Sequence, residues 1–353
     1  MTPTTQFVRV DESNVDSLAG GLSALHEAVR GERRDPAYWR WCCCDAPAGR
    51  SGTVVALRDG RVVGRMGLVP RRVRAGGERV PAGLYEGLAV LPEARSWRCL
   101  AELIRRSGEE HARNGLAFGY AFVTKAGLEF SLRAGSIDLG RLPIHAGFIN
   151  VPRALRGRSV PRSVAALGWL AQPLVRVPRK RGVDHGHDLR AVDAFDAAFD
   201  DLWRTIEVRH AVSGARDATY LNWRYTQSPG RRYRCLGAWR DGTPVGLIVY
   251  RSRAERNDAL VLELIASEDD GPVRQILLSR AIHHLRKEGI GLVIGSFPTG
   301  SAEERAMRAL GMRPWAGALV DIHLVVSGPH RTPDAPERDT ANWYFSLGDW
   351  LAY

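Results

Sequence analysis

Apolar and polar positions along this chain follow two periods, and both recur in the same order in each half. Val15, Leu18, Leu22, Leu25 and Val29 fall at helical spacing and predict an amphipathic helix over 14–29. Thr53 to Leu57 and Val62 to Val69 are rich in β-branched residues and predict two strands. Asp59-Gly60 between them predicts a tight hairpin, because the favoured two-residue turns need positive φ angles. A strand from Leu84 to Leu91 precedes a helix over 97–114, with Leu100, Leu103, Ile104 and His111 as its buried stripe and Gly115 as its stop. A strand from Leu116 to Thr124 and a helix over 127–135 follow. The second half predicts strands at Arg234 to Trp239 and Val245 to Tyr250 around Asp241-Gly242, and then a strand at Leu260 to Ala266. A helix over 272–288, ended by Gly289, leads to a strand at Ile290 to Phe297 and a helix over 301–311.

The halves share residues as well as periods. Asp35, Tyr38, Trp41, Pro47, Arg58, Asp59, Gly60, Val63 and Gly64 recur 182 positions later as Asp217, Tyr220, Trp223, Pro229, Arg240, Asp241, Gly242, Val245 and Gly246. Such self-similarity marks a duplicated unit. Each unit reads helix, meander of strands, helix, strand, helix, strand, so hairpins precede a single βαβ crossover. The predicted fold class is α/β of the mixed-sheet, α+β kind: two tandem domains, each a central mixed sheet flanked by helices. The expected divisions are 1–152, a basic linker over 153–190, 191–328, and an aromatic tail over 329–353 that docks on the body.

The chain has 353 residues, enough for two cores, and no apolar run of membrane-spanning length. The first residues carry no leader pattern, so a cytoplasmic location is expected. Net charge is +11, and only three of the fifty basic residues are lysines, a bias that fits a GC-rich bacterial genome. The charge favours anionic partners without selecting one. The Ser163 to Val175 stretch is apolar between arginines, so residues 153–181 could rest on a membrane surface, with a packed linker helix as the simpler expectation. Of the five cysteines, Cys42, Cys43 and Cys44 are consecutive, a poor arrangement for a metal if they lie on a strand. His185 and His187 lack a third ligand, and no metal site is expected.

Chemistry concentrates where a strand feeds a helix through a basic turn. The free N–H groups and dipole of a helix N-terminus hold phosphates. Arg95 and Arg98 supply positive charge there in the first half, whereas Glu268, Asp269 and Asp270 occupy the second-half turn. Only the first half is therefore expected to take a phosphorylated cofactor.

Leu88-Ala-Val-Leu-Pro-Glu-Ala-Arg95, the helix after it and Leu132-Arg-Ala-Gly135 resemble the acyl-CoA-binding core of the GNAT superfamily. The whole chain, linker and tail apart, resembles a tandem GNAT N-acyltransferase. The Tyr-x-x-Trp passages and Asn342 to Asp349 are similar to members tied to bacterial polysaccharide and natural-product clusters.

The resemblance implies transfer of an acyl group, most simply acetyl from acetyl-CoA, to the amine of a small molecule such as an amino sugar or a biosynthetic intermediate. It implies cofactor contacts at Leu88, Ala89, Val90, Arg95, Ser96, Trp97, Arg98 and Cys99. It also puts a catalytic carboxylate on the third strand, where Glu86 precedes Leu88 by two residues and shares its face. Tyr120 and Ser131 are candidate general acids. The sequence departs from the family pattern in two places: Arg95-Ser-Trp-Arg98-Cys-Leu100 lacks the usual loop glycines, and Phe130-Ser131 stands where Phe-Tyr is usual.

Two alternatives stay open. One is a catalytically degenerate binding or scaffold protein. The other is an aminoacyl-tRNA-dependent ligase of related tandem fold, although its helical arm is not seen and no specific nucleic acid is expected. Trp39, Trp41, Tyr220, Trp223 and Tyr225 could stack on a sugar but fit a core better. Arg33-Arg34 and Arg71-Arg72 read as solvated surface, or as contacts to an acidic acceptor.

Overall fold

The structure, a computed structural model, describes residues 4–156, 186–267, 272–315, 321–328 and 332–351. The first half runs β1 (Thr5–Arg9), α1 (Val15–Arg30), α2 (Pro36–Cys43), β2 (Val54–Arg58), β3 (Arg61–Ala75), β4 (Glu78–Val90), α3 (Trp97–Arg113), β5 (Phe118–Thr124), α4 (Lys125–Arg133), β6 (Ile137–Arg141), β7 (His145–Phe148) and α5 (Val151–Arg156). The second runs β8 (Asp188–Ala191), α6 (Ala197–Glu207), β9 (Val212–Gly214), α7 (Ala218–Leu221), β10 (Arg234–Arg240), β11 (Thr243–Arg253), β12 (Asp258–Ala266), α8 (Val273–Lys287), β13 (Leu292–Gly295), α9 (Ala302–Ala309), β14 (Arg313–Pro314) and β15 (Ile322–Ser327). The tail adds β16 (Trp343–Tyr344).

Local chemistry explains the repeated elements. Asp35 caps α2 by accepting from the Ala37 N–H, with Pro36 at the first helical position. Its counterpart Asp217 caps α7 by accepting from the Tyr220 N–H. Both hairpins turn on a left-handed Asp-Gly pair, with φ of 50° and 75° at Asp59 and Gly60 and of 50° and 80° at Asp241 and Gly242.

Two mixed sheets result. One has the order β1-β2-β3-β4-β5-β15-β6, with β9 and β16 added beside the far end of β3; the other is β14-β7-β13-β12-β11-β10-β8. The halves exchange their last strands. In repeat terms β7 and β15 are equivalents, yet β15 pairs with β5 and β6, while β7 pairs with β13 and β14. Cuts near 152 and 328 therefore separate the two sequence copies but not the two sheets. Most of the basic linker, including Ser163 to Val175 and His185, lies outside the described residues, as do Glu268 to Asp270.

The halves meet on their repeated tryptophans. Trp41 and Trp223 stack with ring centroids 4.4 Å apart and planes inclined by 13°. Each indole N–H donates to the backbone carbonyl of the other, at 2.8 and 3.1 Å. This reciprocity marks a local twofold between the copies. Trp39, Trp41, Tyr220, Trp223 and Tyr225 are all buried, so these aromatics are core. The cysteine run ends helix α2 rather than lying on a strand; Cys42 and Cys43 are buried free thiols.

Two arginines read as surface are interior: Arg34 and Arg71 are 5% and 2% exposed. Arg33 and Arg72 remain at the surface, paired with Glu27 and Asp217.

Candidate functional site

Strands β4 and β5 run parallel and pair only over Ala82–Leu84 and Phe118–Tyr120. Beyond that they diverge, because β5 continues against β15 while β4 stays with β3. The gap opens into a cavity of about 790 Å³. Its middle is apolar, walled by Leu88 and Val90 of β4, Leu100 and Ile104 of α3, Ala121 and Val123 of β5 and Phe130 of α4. Arg95 stands at one end. The other end reaches α1, the turn after it, and the β11–β12 corner of the second half.

A bulge shapes the Glu86 side of this gap. Arg65 of β3 faces Ala89 and Gly67 faces Glu86, so Gly87 and Leu88 together oppose Met66. Gly87 has φ of 68°, and a Cβ there would sit 2.1 Å from Nη1 of Arg65. Only glycine suits both its backbone and the close approach of the guanidinium. Glu86 and Leu88 both line the cavity, but the bulge corrects the expectation that they share a face: Glu86 lies on the face of Arg65 and Ala89, and Leu88 on that of Met66.

The Glu86 carboxylate accepts from Nη2 of Arg65 at 2.6 Å, with both side chains buried. Burial alone would raise its pKa. The charge and hydrogen bond of Arg65, helped by the charge of Arg34, outweigh burial and hold it below the usual carboxylate range. Arg65 is also stacked over Trp39, 4.8 Å from the ring centroid. His26 accepts from Nε of Arg34 at 3.3 Å. Burial and the nearby positive charges of Arg34 and Arg65 push the imidazole down to about 4, so it is neutral at physiological pH.

The structure sorts the expected site residues. Glu86, Leu88, Ala89, Val90, Arg95 and Ser131 line the cavity. Ser96, Trp97, Arg98 and Cys99 do not. Ser96 caps α3 by accepting from the Cys99 N–H at 3.2 Å, and the Cys99 side chain is buried in the core. Trp97 and Arg98 are exposed. Tyr120 is the clear correction: it is fully buried on the opposite face of β5, against Trp343, with its phenol pushed up by burial. A residue facing away from the cavity cannot protonate anything in it. Ser131 donates its hydroxyl to the Gly127 carbonyl, 3.0 Å away, so its proton is already engaged.

His26, Arg34, Arg65 and the second-half arginines are the residues that sequence reasoning missed or set aside as surface. The signal for Arg65 was faint: a charged residue within a strand otherwise rich in valine and glycine.

The second half has the same divergence, since β12 pairs with β13 only over Asp258–Val261 and Leu292–Gly295. Register identifies Glu263 as the counterpart of Glu86: it faces Val249, which lies 182 residues after Gly67. Here the tail fills the space. Glu263 accepts from Arg216, Tyr225 and Ser346 at 2.9, 2.7 and 3.0 Å. A Cβ on Gly348 would come within 2.2 Å of the Tyr225 hydroxyl and 2.3 Å of Glu263. Arg224 and Arg231 bind the tail carbonyls of Gly348, Trp350 and Leu351. One copy is open and its twin is plugged by the chain itself.

The family model for the acetyltransferase (GNAT) domain matches residues 21–128, the stretch from α1 through the divergence of β4 and β5 to the start of α4. Residues 21–128 are a GNAT domain. No curated protein matches the chain. Among solved structures, a tandem GNAT protein from the clavulanic acid biosynthesis pathway, determined without AcCoA, is 18% identical, with 92% of this chain and 99% of that one covered at a TM-score of 0.61. N-myristoyltransferase of Saccharomyces cerevisiae with bound myristoyl-CoA is 11% identical, covering 97% and 89%, with a TM-score of 0.68. A probable N-acyltransferase of Enterococcus faecalis is 10% identical, covering 92% and 72%, with a TM-score of 0.59. At such identities the likeness concerns fold alone, and the fold is two GNAT-like domains in tandem, with two mixed sheets flanked by helices. No helix among the described residues is long and apolar enough to cross a membrane.

Proposed function

We propose that the protein is an acyl-CoA-dependent N-acyltransferase that works through its first half on a small-molecule amine, such as an amino sugar or a biosynthetic intermediate. The observation that carries this reading is the gap between β4 and β5, open from Arg95 to Glu86. Its residues fit the co-substrate. The edge of β4 from Tyr85 to Val90 has no strand partner on the β5 side. Among the described residues Arg95 holds only the Val90 carbonyl, at 3.3 Å, and it lines the cavity where a phosphate could meet it. Leu88, Val90, Leu100 and Ile104 suit an acyl or pantetheine chain. When bound, the thioester supplies the activated acyl group.

The chain's own residues do the rest. The unpaired β4 backbone offers N–H groups toward a carbonyl oxygen. Glu86, anionic and fixed by Arg65, is too weak a base to strip an ammonium unaided. It accepts a hydrogen bond from the amine or its water and sets the approach. His26, lowered to about 4 and already accepting from Arg34, is no stronger a base, so the proton released by the amine passes through water to the departing CoA thiolate, leaving an amide and a free thiol. Neither Tyr120 nor a buried Cys99 has a part in this reading. The open first copy beside a plugged second one favours an enzyme over a degenerate scaffold, which would have no use for the difference.

Isothermal titration with acetyl-CoA, together with thiol release in the presence of amines, tests the proposal. Binding at micromolar affinity that Arg95→Glu weakens at least about tenfold is expected, since charge-assisted contacts are worth 1.5–3 kcal/mol. Binding unmoved by Arg95→Glu, or none at all, refutes it.

A further inference from the structure

The acceptor end of the cavity holds a cation with no counterion among the described residues. Arg251 lies near the end of β11, paired through its backbone with Leu260. Its side chain lines the cavity, half-buried, and its guanidinium makes no hydrogen bond or ion pair with any described residue. The strand is rigid there. Arg253 grips Asp258 with two hydrogen bonds of 2.7 and 2.9 Å, and Asn257 turns the corner in the left-handed region. The charges around Arg251 are mostly positive. Arg34 and Arg253 are neighbours, and Arg30 and Arg256 are exposed on the same rim. Two carboxylates line this end: Glu255, exposed, and Glu32, which acts on Arg251 but is already shared between Arg34 at 3.4 Å and Arg231 at 3.9 Å. Burial lowers the pKa of Arg251, which fits a charge lacking a counterion.

We propose that Arg251, backed by Arg34 and Arg256, binds an anionic group of the acceptor, so that the substrate is an amine that also carries a carboxylate or a phosphate. This rests on the N-acyltransferase reading for its chemistry but not for its binding. A guanidinium fork held on a strand across from Glu86 and His26 fixes one end of the acceptor while its amine meets the carboxylate. It also makes the second half a part of the site, which explains why a plugged copy is kept beside an open one.

The test is calorimetric titration of the full chain, with and without CoA, using two matched pairs: L-serine against L-serinamide, and glucosamine 6-phosphate against glucosamine. Wild type is expected to bind the anionic member of at least one pair roughly 10- to 100-fold tighter than its neutral partner, as a charged hydrogen bond allows. Which pair shows the preference tells carboxylate from phosphate. Arg251→Gln is expected to bring that ratio close to one while leaving acetyl-CoA affinity unchanged. Should that variant not fold, Arg251→Lys makes the same comparison, with a point charge replacing the fork and the ratio falling several-fold. Equal binding of charged and neutral members, no binding of either anionic amine at millimolar concentration, or a preference that survives both variants overturns the proposal. Acetyl-CoA titration and thiol release are read separately, so loss of the acyltransferase reading is distinguishable from loss of this one.

Discussion

Replacing Gly87 by alanine tests whether the bulge is what holds the site together. Two costs add. An L residue at φ of 68° loses about 1–2 kcal/mol to contact between its Cβ and the backbone. The new methyl would also lie 2.1 Å from Nη1 of Arg65, and that guanidinium has nowhere to retreat. It is buried, stacked on Trp39 and bonded to Glu86. Moving it strands a carboxylate in the interior, and breaking a buried pair costs about 3–5 kcal/mol. The expected loss is about 4–7 kcal/mol in sum. Gly31→Ala is the control: its φ is 72° and a Cβ there meets nothing within 4 Å, so only the backbone cost applies. Urea unfolding of both variants, with comparable m-values, reads the difference. If Gly87→Ala is no more than about 1 kcal/mol worse than Gly31→Ala, Arg65 moves freely and the argument for a fixed Glu86 is refuted.

Three further outcomes follow. Trp41→Ala and Trp223→Ala should each destabilise by about 3–5 kcal/mol, the double variant by clearly less than their sum, since both remove one stack; additive losses would contradict the reciprocal contact. Asp349→Ala leaves Arg216 short of a partner at 2.5 Å and should cost about 3–5 kcal/mol in denaturant unfolding; a loss under about 1 kcal/mol would show that the tail is not clamped. Stability should fall on acidification from two groups. His26, depressed from 6.5 to about 4, stays neutral in the fold while the unfolded chain takes up its proton, so stability declines as pH drops from 6.5 toward 4. Glu86, also depressed, contributes fully above its ordinary value of 4.5 and loses that contribution as pH falls through its lower folded value. An NMR titration midpoint for His26 near 6.5 would disprove the first part.

The sequence by itself determined the parts. The Asp-Gly hairpins and α3 with its stripe are short-range matters, in which neighbours decide the conformation, and the duplication at 182 residues is legible as repeated letters. Tertiary structure decided how the parts were partnered. Nothing local tells β7 that it belongs between β13 and β14, or β15 that it belongs between β5 and β6, because an exchanged strand has the same alternation as one that stays home. Alternation also fails at a bulge: the extra residue at Gly87 puts Glu86 on the face of Arg65 and Ala89, and not on that of Leu88 as spacing along the strand suggests. Tyr120 sits on the face turned toward Trp343, a contact some 220 residues away that no spacing along β5 reveals. Arg34, Arg71 and Arg216 look like surface because arginine usually is. They are buried because carboxylates, aromatic rings and the tail arrive from distant segments to receive their charge.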